Sequence, residues 1–292
     1  MLLTQLIKRG VETISALYPE GEAKEMVYAF LEHHIGTKRH THIIEPAYEV
    51  PEEKALQAVA AFERMAVGEP MQYVAGRADF YGRQFRVTPD VLIPRQETEL
   101  LIESSLKTSK TPVRILDLCT GSGCIAWTLA LETPGAQVMA ADISDGALDV
   151  ASRQDFAEEM ARTGALAPTF FKTDVLAGPA PYIKTYGSDK FDIIVSNPPY
   201  VMDKEKAMMR TNVLDHEPHL ALFVPDDDPL VFYRAVASWA SELLEENGVG
   251  IVEINEALGD ETADVFRVYG FSPVAVLKDL HDKDRFVKFI KK

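Results

Sequence analysis

Phe191-Asp192-Ile193-Ile194-Val195-Ser196-Asn197-Pro198-Pro199-Tyr200 is the stretch on which the reading of this chain turns. Its first half is short, apolar, β-branched and closed by turn-formers, which predicts a buried strand. Two consecutive prolines then fix φ and remove two backbone donors, and each biases the residue before it toward extended geometry. The outcome is a stiff loop at the C-terminal end of a strand, where open α/β sheets place their ligands. That loop offers the Asn197 side-chain amide, backbone carbonyls beside the proline pair, and the Tyr200 ring. Such a set suits a planar NH2 group, since acceptors take its two hydrogens while a ring covers its face. By themselves the same residues also describe an ordinary proline-rich turn.

Outward from this strand, apolar runs alternate with helical patterns. Strands are expected over residues 113–118, 137–141, 169–172, 191–196 and 250–254, and helices over 124–132, 144–163, 230–245 and 258–269. Alternation of this kind builds a mostly parallel, doubly wound sheet. Two final strands, near 273–278 and 285–290, are joined by a loop too short for a crossover, so that pair should be antiparallel. The expected architecture is a seven-stranded α/β sheet with an antiparallel last strand.

The chain before it reads differently. Leu3, Leu6, Ile7, Val11, Ile14 and Leu17 keep helical spacing until Pro19; a second helix is expected over 22–35, ending at Gly36, and a third from near Pro51 with Ala55, Val59, Phe62 and Ala66 on one stripe. Three short helices make a small accessory domain. Between Asp79 and Pro94, Phe85 and Val87 alternate with Gln84 and Arg86, Pro89-Asp90 signals a turn, and Val91-Leu92-Ile93 resumes the apolar run, as in a hairpin. The organisation expected is a helical domain over 1–78, a β-hairpin linker over 79–95 and a catalytic domain over 96–292.

Composition narrows the class. The 292 residues fit two domains at about 150 each, and 45 Asp+Glu against 30 Lys+Arg leave a net charge of −15. Broad acidity disfavours a phosphate-backbone ligand and favours a partner with basic surface. The start has no signal-peptide pattern, and no run approaches the roughly 20 apolar residues of a membrane span. Two cysteines, Cys119 and Cys124, suit a reducing cytoplasm. They lack metal-ligand spacing, and His33, His34, His40 and His42 lie in a polar stretch, so no metal is expected.

Asp117-Leu118-Cys119-Thr120-Gly121-Ser122-Gly123 closes the first parallel strand and opens a helix. Its glycines permit close backbone approach, and the helix start favours an anion. Asp142 ends the next strand, where an acid can accept ribose hydroxyls, and Asp174 ends the third, followed by Val175. Each also reads as a turn or cap. Gly121-Ser122-Gly123-Cys124-Ile125-Ala126 satisfies a dinucleotide fingerprint, so a dehydrogenase competes. S-adenosylmethionine fits better: its amino-acid end by Asp117 and the glycine loop, its ribose at Asp142, its adenine near Asp174 and Val175. An acid under the loop and an amine-holding corner serve no hydride transfer.

Pro94-Arg95-x-Glu97-Thr98-Glu99, then Asp117-x-x-Thr120-Gly121-Ser122-Gly123, then Asn197-Pro198-Pro199-Tyr200, with Glu217-Pro218 downstream, resemble the release factor glutamine methyltransferases. The likeness runs from about Gly68 to the C-terminus; Cys119 departs from it, standing where a glycine is common. It implies a class I methyltransferase fold, S-adenosylmethionine as cofactor, and methylation of the glutamine in the Gly-Gly-Gln motif of peptide chain release factors; a monomer is expected. It implies that Asn197 and the Pro198 carbonyl hold the substrate NH2, that Pro199 and Tyr200 complete that pocket, and that Cys119 to Gly123 line the cofactor site. No membrane and no direct nucleic-acid contact are implied. A ribosomal-protein glutamine and the exocyclic amines of nucleic-acid bases remain open as substrates.

Overall fold

The computed structural model describes residues 1–107 and 113–292. The chain forms two compact units. One comprises Met1–Ala78 with Arg210–His216, the other Asp79–Met209 with Glu217–Lys292.

The smaller unit is helical. Leu3–Ile14, Glu20–Ile35 and Glu52–Ala66 enclose a core containing Leu6, Ile14, Val27, Phe30 and Phe62. Its tightest point is Gly10, where a Cβ would come within 2.7 Å of the Phe62 ring. Two single-turn helices, Thr41–Ile44 and Met71–Ala75, are additional to the three expected; four or five residues are too few to display a helical period. Leu17, expected on the first stripe, lies beyond that helix and is 52% exposed.

The larger unit contains a seven-stranded sheet: β1 Arg114–Leu118, β2 Gln137–Asp142, β3 Thr169–Lys172, β4 Phe191–Ser196, β5 Leu244–Glu253, β6 Val274–Lys278 and β7 Asp284–Ile290. Their spatial order is β6-β7-β5-β4-β1-β2-β3. β3, β2, β1, β4 and β5 are mutually parallel, while β7 runs antiparallel to both β5 and β6. Apolar clusters cover the sheet, one around Leu116, Ile194, Trp239 and Phe289, the other around Ile115, Trp127, Ile193 and Phe286. Ile193 and Ile194 fall in different clusters because successive strand residues face opposite sides. Among the described residues no helix is long and apolar enough to cross a membrane.

Three expectations are corrected. The hairpin lies earlier than expected: its strands are Arg77–Phe80 and Arg83–Arg86, and 91–93 is loop. Its turn is Tyr81-Gly82, both left-handed at φ 50° and 70°, the geometry that two-residue hairpins favour. A tyrosine does not announce that conformation; here Glu99 holds it by accepting Tyr81 N–H at 2.8 Å. The helix expected over 144–163 is two, Asp145–Ser152 and Ala157–Thr163. It breaks where Gln154, 8% exposed, hydrogen-bonds the backbone of Arg86 and Ser122. The fifth strand starts at Leu244, where helix was expected to run on to residue 245. Helices Ala180–Tyr186 and Thr211–His216, and the short parallel pair Val201–Met202 with Phe223–Val224, were not anticipated.

Candidate active site

Register brings the candidate residues to one edge. Leu118 of β1 lies level with Ala141 of β2 and with Ser196 of β4, and Ser196 with Val252 of β5. The next residues, Cys119, Asp142, Asn197 and Glu253, therefore emerge together. The sheet order reverses beside β1, where doubly wound folds open a crevice. A cavity of about 320 Å³ opens there, lined by Cys119, Thr120, Gly121, Ser122, Asp142, Asp174, Val175, Asn197 and Pro199. Small-molecule sites span roughly 300–1,000 Å³.

The glycine loop is tightly made. Thr120 N–H donates to Ala141 carbonyl and Gly123 N–H to Thr120 carbonyl, both at 2.9 Å. Gly123 has φ 78°, and a Cβ there would stand 3.0 Å from the Ala151 Cβ. Cys119 adopts φ 63°, a conformation that costs a side-chain-bearing residue roughly 1–2 kcal/mol. This explains why glycine would suit the position. Asp142 accepts Gly121 N–H at 2.9 Å and Ser144 N–H at 3.0 Å, one per carboxylate oxygen, and each oxygen keeps a lone pair. Burial pushes its pKa up, against those backbone donors. Asp174 caps the turn that follows it, accepting Leu176 N–H at 2.9 Å.

Asp117 lies beneath the loop and does not line the cavity. It is fully buried. Thr120 donates to its Oδ2 at 2.6 Å, whereas Oδ1 makes no hydrogen bond. Burial raises its pKa to about 7, opposed by the Thr120 hydroxyl, and the Asp142 charge adds to the rise. The Ala126 N–H also holds its pKa down, and an unpaired buried carboxylate oxygen is a place for a donor, charged or neutral.

The Asn197–Tyr200 corner rests on groups behind it. Asn197 Nδ2 donates to Thr98 Oγ1 at 3.3 Å, Thr98 donates to Glu253 at 2.6 Å, and Tyr200 hydroxyl donates to the other Glu253 oxygen at 3.0 Å. Asn255 Nδ2 donates to Tyr200 carbonyl at 3.3 Å. Among the described residues, nothing donates to Asn197 Oδ1 or to the Pro198 carbonyl. Tyr200 is half-buried against the core and is not on the cavity wall, nor are Pro198 and Gly123. The hydroxyl of the ring expected to stack on a substrate amide is tied to Glu253.

Three more groups shape the site, Thr98 and Glu217 known from sequence only as parts of motifs. Glu253, 1% exposed, stood inside an expected apolar strand; a charged residue at the end of a buried strand was the available signal. Thr98 entered only within a motif. Glu217 accepts Arg95 at 2.7 Å and Ile93 N–H at 3.3 Å, pinning the 91–95 loop that lines the cavity with Val91 and Leu92.

Two family profiles match the chain: "Methyltransferase small domain" over residues 96–220 and "PrmC N-terminal domain" over 5–76. Among curated proteins, the chain is 36% identical over 293 residues to a release factor glutamine methyltransferase of Flavobacterium psychrophilum, covering 99% of each. It is 37% identical over 290 residues to that of Streptococcus pneumoniae, covering 98% of each. To that of Bacteroides thetaiotaomicron it is 44% identical over 224 residues, covering 77% of each.

Proposed function

We propose, from the premise that this chain belongs to the release factor glutamine methyltransferase family, that it methylates the side-chain amide nitrogen of the glutamine in the Gly-Gly-Gln motif of peptide chain release factors. The methyl donor is S-adenosylmethionine. The residues present fit that group. The orphaned Asp117 Oδ1 suits its ammonium, the spare lone pairs of Asp142 suit its ribose, and the cavity wall at Ile143, Val175 and Leu176 suits a flat base. When bound it supplies a methyl group already activated on a sulfonium.

Positioning is then the protein's main task. An amide nitrogen is a weak nucleophile because its lone pair is delocalised, and correct placement can contribute up to roughly 7–11 kcal/mol. Asn197 Oδ1 and the Pro198 carbonyl accept the two hydrogens of the substrate NH2 and stabilise positive charge growing on it. No dedicated base is required, since the methylated amide loses its proton readily. The observation that carries this reading is the Asn197 side chain itself: one end anchored at Thr98, the other end free beside the cavity. The helical unit is assigned to presenting the protein substrate.

The test is incubation with labelled S-adenosylmethionine and a release factor, beside a Gln→Ala change in its Gly-Gly-Gln loop. Label is expected on the first protein and absent from the second. Ribosomal protein and nucleic acid are run in parallel, and label there instead would overturn the assignment. Asn197→Ala should abolish transfer while calorimetric affinity for S-adenosylmethionine stays within a few-fold, whereas Asp142→Ala should weaken that affinity.

A further inference from the structure

We propose that Thr98 and Glu253 are positioning residues that decide which end of the Asn197 carboxamide meets the substrate. The proposal rests on the reaction assigned above and extends it to Thr98 on the cavity wall and Glu253 behind it.

Hydrogens are limited in number along this buried chain. Glu253 and Thr98 are 1% and 2% exposed. Burial pushes the Glu253 pKa up, opposed by the Thr98 and Tyr200 hydroxyls and the Arg285 charge; in its ionised form the carboxylate only accepts, taking the Thr98 hydroxyl on Oε2 and the Tyr200 hydroxyl on Oε1. A hydroxyl owns a single hydrogen. Thr98 has committed it to Glu253 at 2.6 Å, so toward Asn197 it presents only a lone pair. Only the NH2 end of Asn197 can satisfy that lone pair, and Nδ2 is the atom found there, at 3.3 Å. A flipped amide would set oxygen against oxygen with no hydrogen between them. Oδ1 is left free as an acceptor, which is the polarity needed to receive a substrate NH2. A carboxylate in the substrate's place would bring acceptor to acceptor and be refused.

The elements that hold this chain are rigid. Glu253 ends the central strand β5 one residue past the Ser196–Val252 pair, which fixes its distance from Asn197. Thr98 arrives from the turn Gln96–Thr98 that starts the helix Glu99–Leu106. The Tyr200 hydroxyl occupies the second carboxylate oxygen, so Glu253 cannot rotate without leaving a donor unpaired.

Thr98→Val keeps the shape and removes the hydroxyl; Thr98→Ser restores it. Each would be compared with the native chain in three measurements: single-turnover methylation of a release factor, calorimetric affinity for S-adenosylmethionine, and hydrogen exchange of the assigned Asn197 side-chain NH2 by 15N NMR. Thr98→Val is expected to slow the turnover about 10- to 100-fold, the scale of a slight misplacement, with cofactor affinity within about threefold, unchanged KM for the release factor, and faster NH2 exchange. Thr98→Ser should recover both rate and protection. Glu253→Gln, whose own amide competes for the Thr98 oxygen, should show the same loss and serves where Thr98→Val fails to fold. Native-like turnover in Thr98→Val, a loss traceable to cofactor affinity, or slow turnover with NH2 protection intact would each overturn the proposal. If the native chain leaves release factor unmethylated, the reaction assignment fails instead, and the exchange data still decide whether Thr98 holds the amide.

Discussion

Burial raises the Asp117 carboxyl from 3.8 to about 7, so between those values the folded chain holds a proton that the unfolded chain has released. Its contribution to stability is therefore complete below pH 3.8 and is lost as pH rises through 7, a swing of roughly 4 kcal/mol. Asp117→Asn cannot ionise, and it should melt at higher temperature than the native protein at pH 8 while the two converge near pH 4. Thermal scans across that range check it, and equal Tm at pH 8 would refute the burial argument. Function runs the other way. A bound ammonium favours the ionised carboxylate, so affinity for S-adenosylmethionine should fall about tenfold per unit as pH drops below 7, with proton release visible as a buffer-dependent binding heat. In Asp117→Asn that dependence should flatten at a weaker affinity. Much of this site could be read from sequence because acids and glycines at strand ends have few roles there. Of the residues so read, Gly121, Asp142 and Asp174 line the cavity. Thr98 and Glu253 were not so read, because their importance lies in hydrogens passed between segments 155 residues apart, which no local pattern encodes.

At the level of elements, the sheet was visible because strands buried on both faces are written as continuous apolar runs. The hairpin turn and the broken helix were not, since Tyr81 needs Glu99 and Gln154 needs Arg86 and Ser122 before either conformation makes sense. Gly250 is another such case. In β5 it pairs directly with Phe289 of β7, and a Cβ there would stand 2.0 Å from the Phe289 ring. That ring cannot retreat, being stacked on Phe266 with centroids 4.0 Å apart. Gly250→Ala should therefore destabilise the larger unit by at least the 1–3 kcal/mol typical of overpacking, read as a lower urea midpoint. Adding Phe289→Leu should restore part of the loss. If the two changes simply add, the clash is not the cause.

Across the whole chain, the helical unit is discontinuous in sequence. Residues 210–216 belong with Met1–Ala78, although they lie between two segments of the larger unit. Arg210 reaches Glu22 at 3.5 Å, and Gly68 stands close to the His216 ring. A chain cut to residues 79–292 should consequently be less soluble and melt lower than one that also replaces 210–216 with a glycine-serine bridge; equal behaviour of the two would show that the inserted turn needs no host. The stiff Asn197–Tyr200 corner is followed within ten residues by that excursion. Anyone wishing to graft this sheet elsewhere, or to exchange the helical unit for a foreign one, must therefore re-engineer three junctions rather than one. Ancestral gain or loss of the helical part by a single recombination at its C-terminal border would have left a fragment stranded in its neighbour.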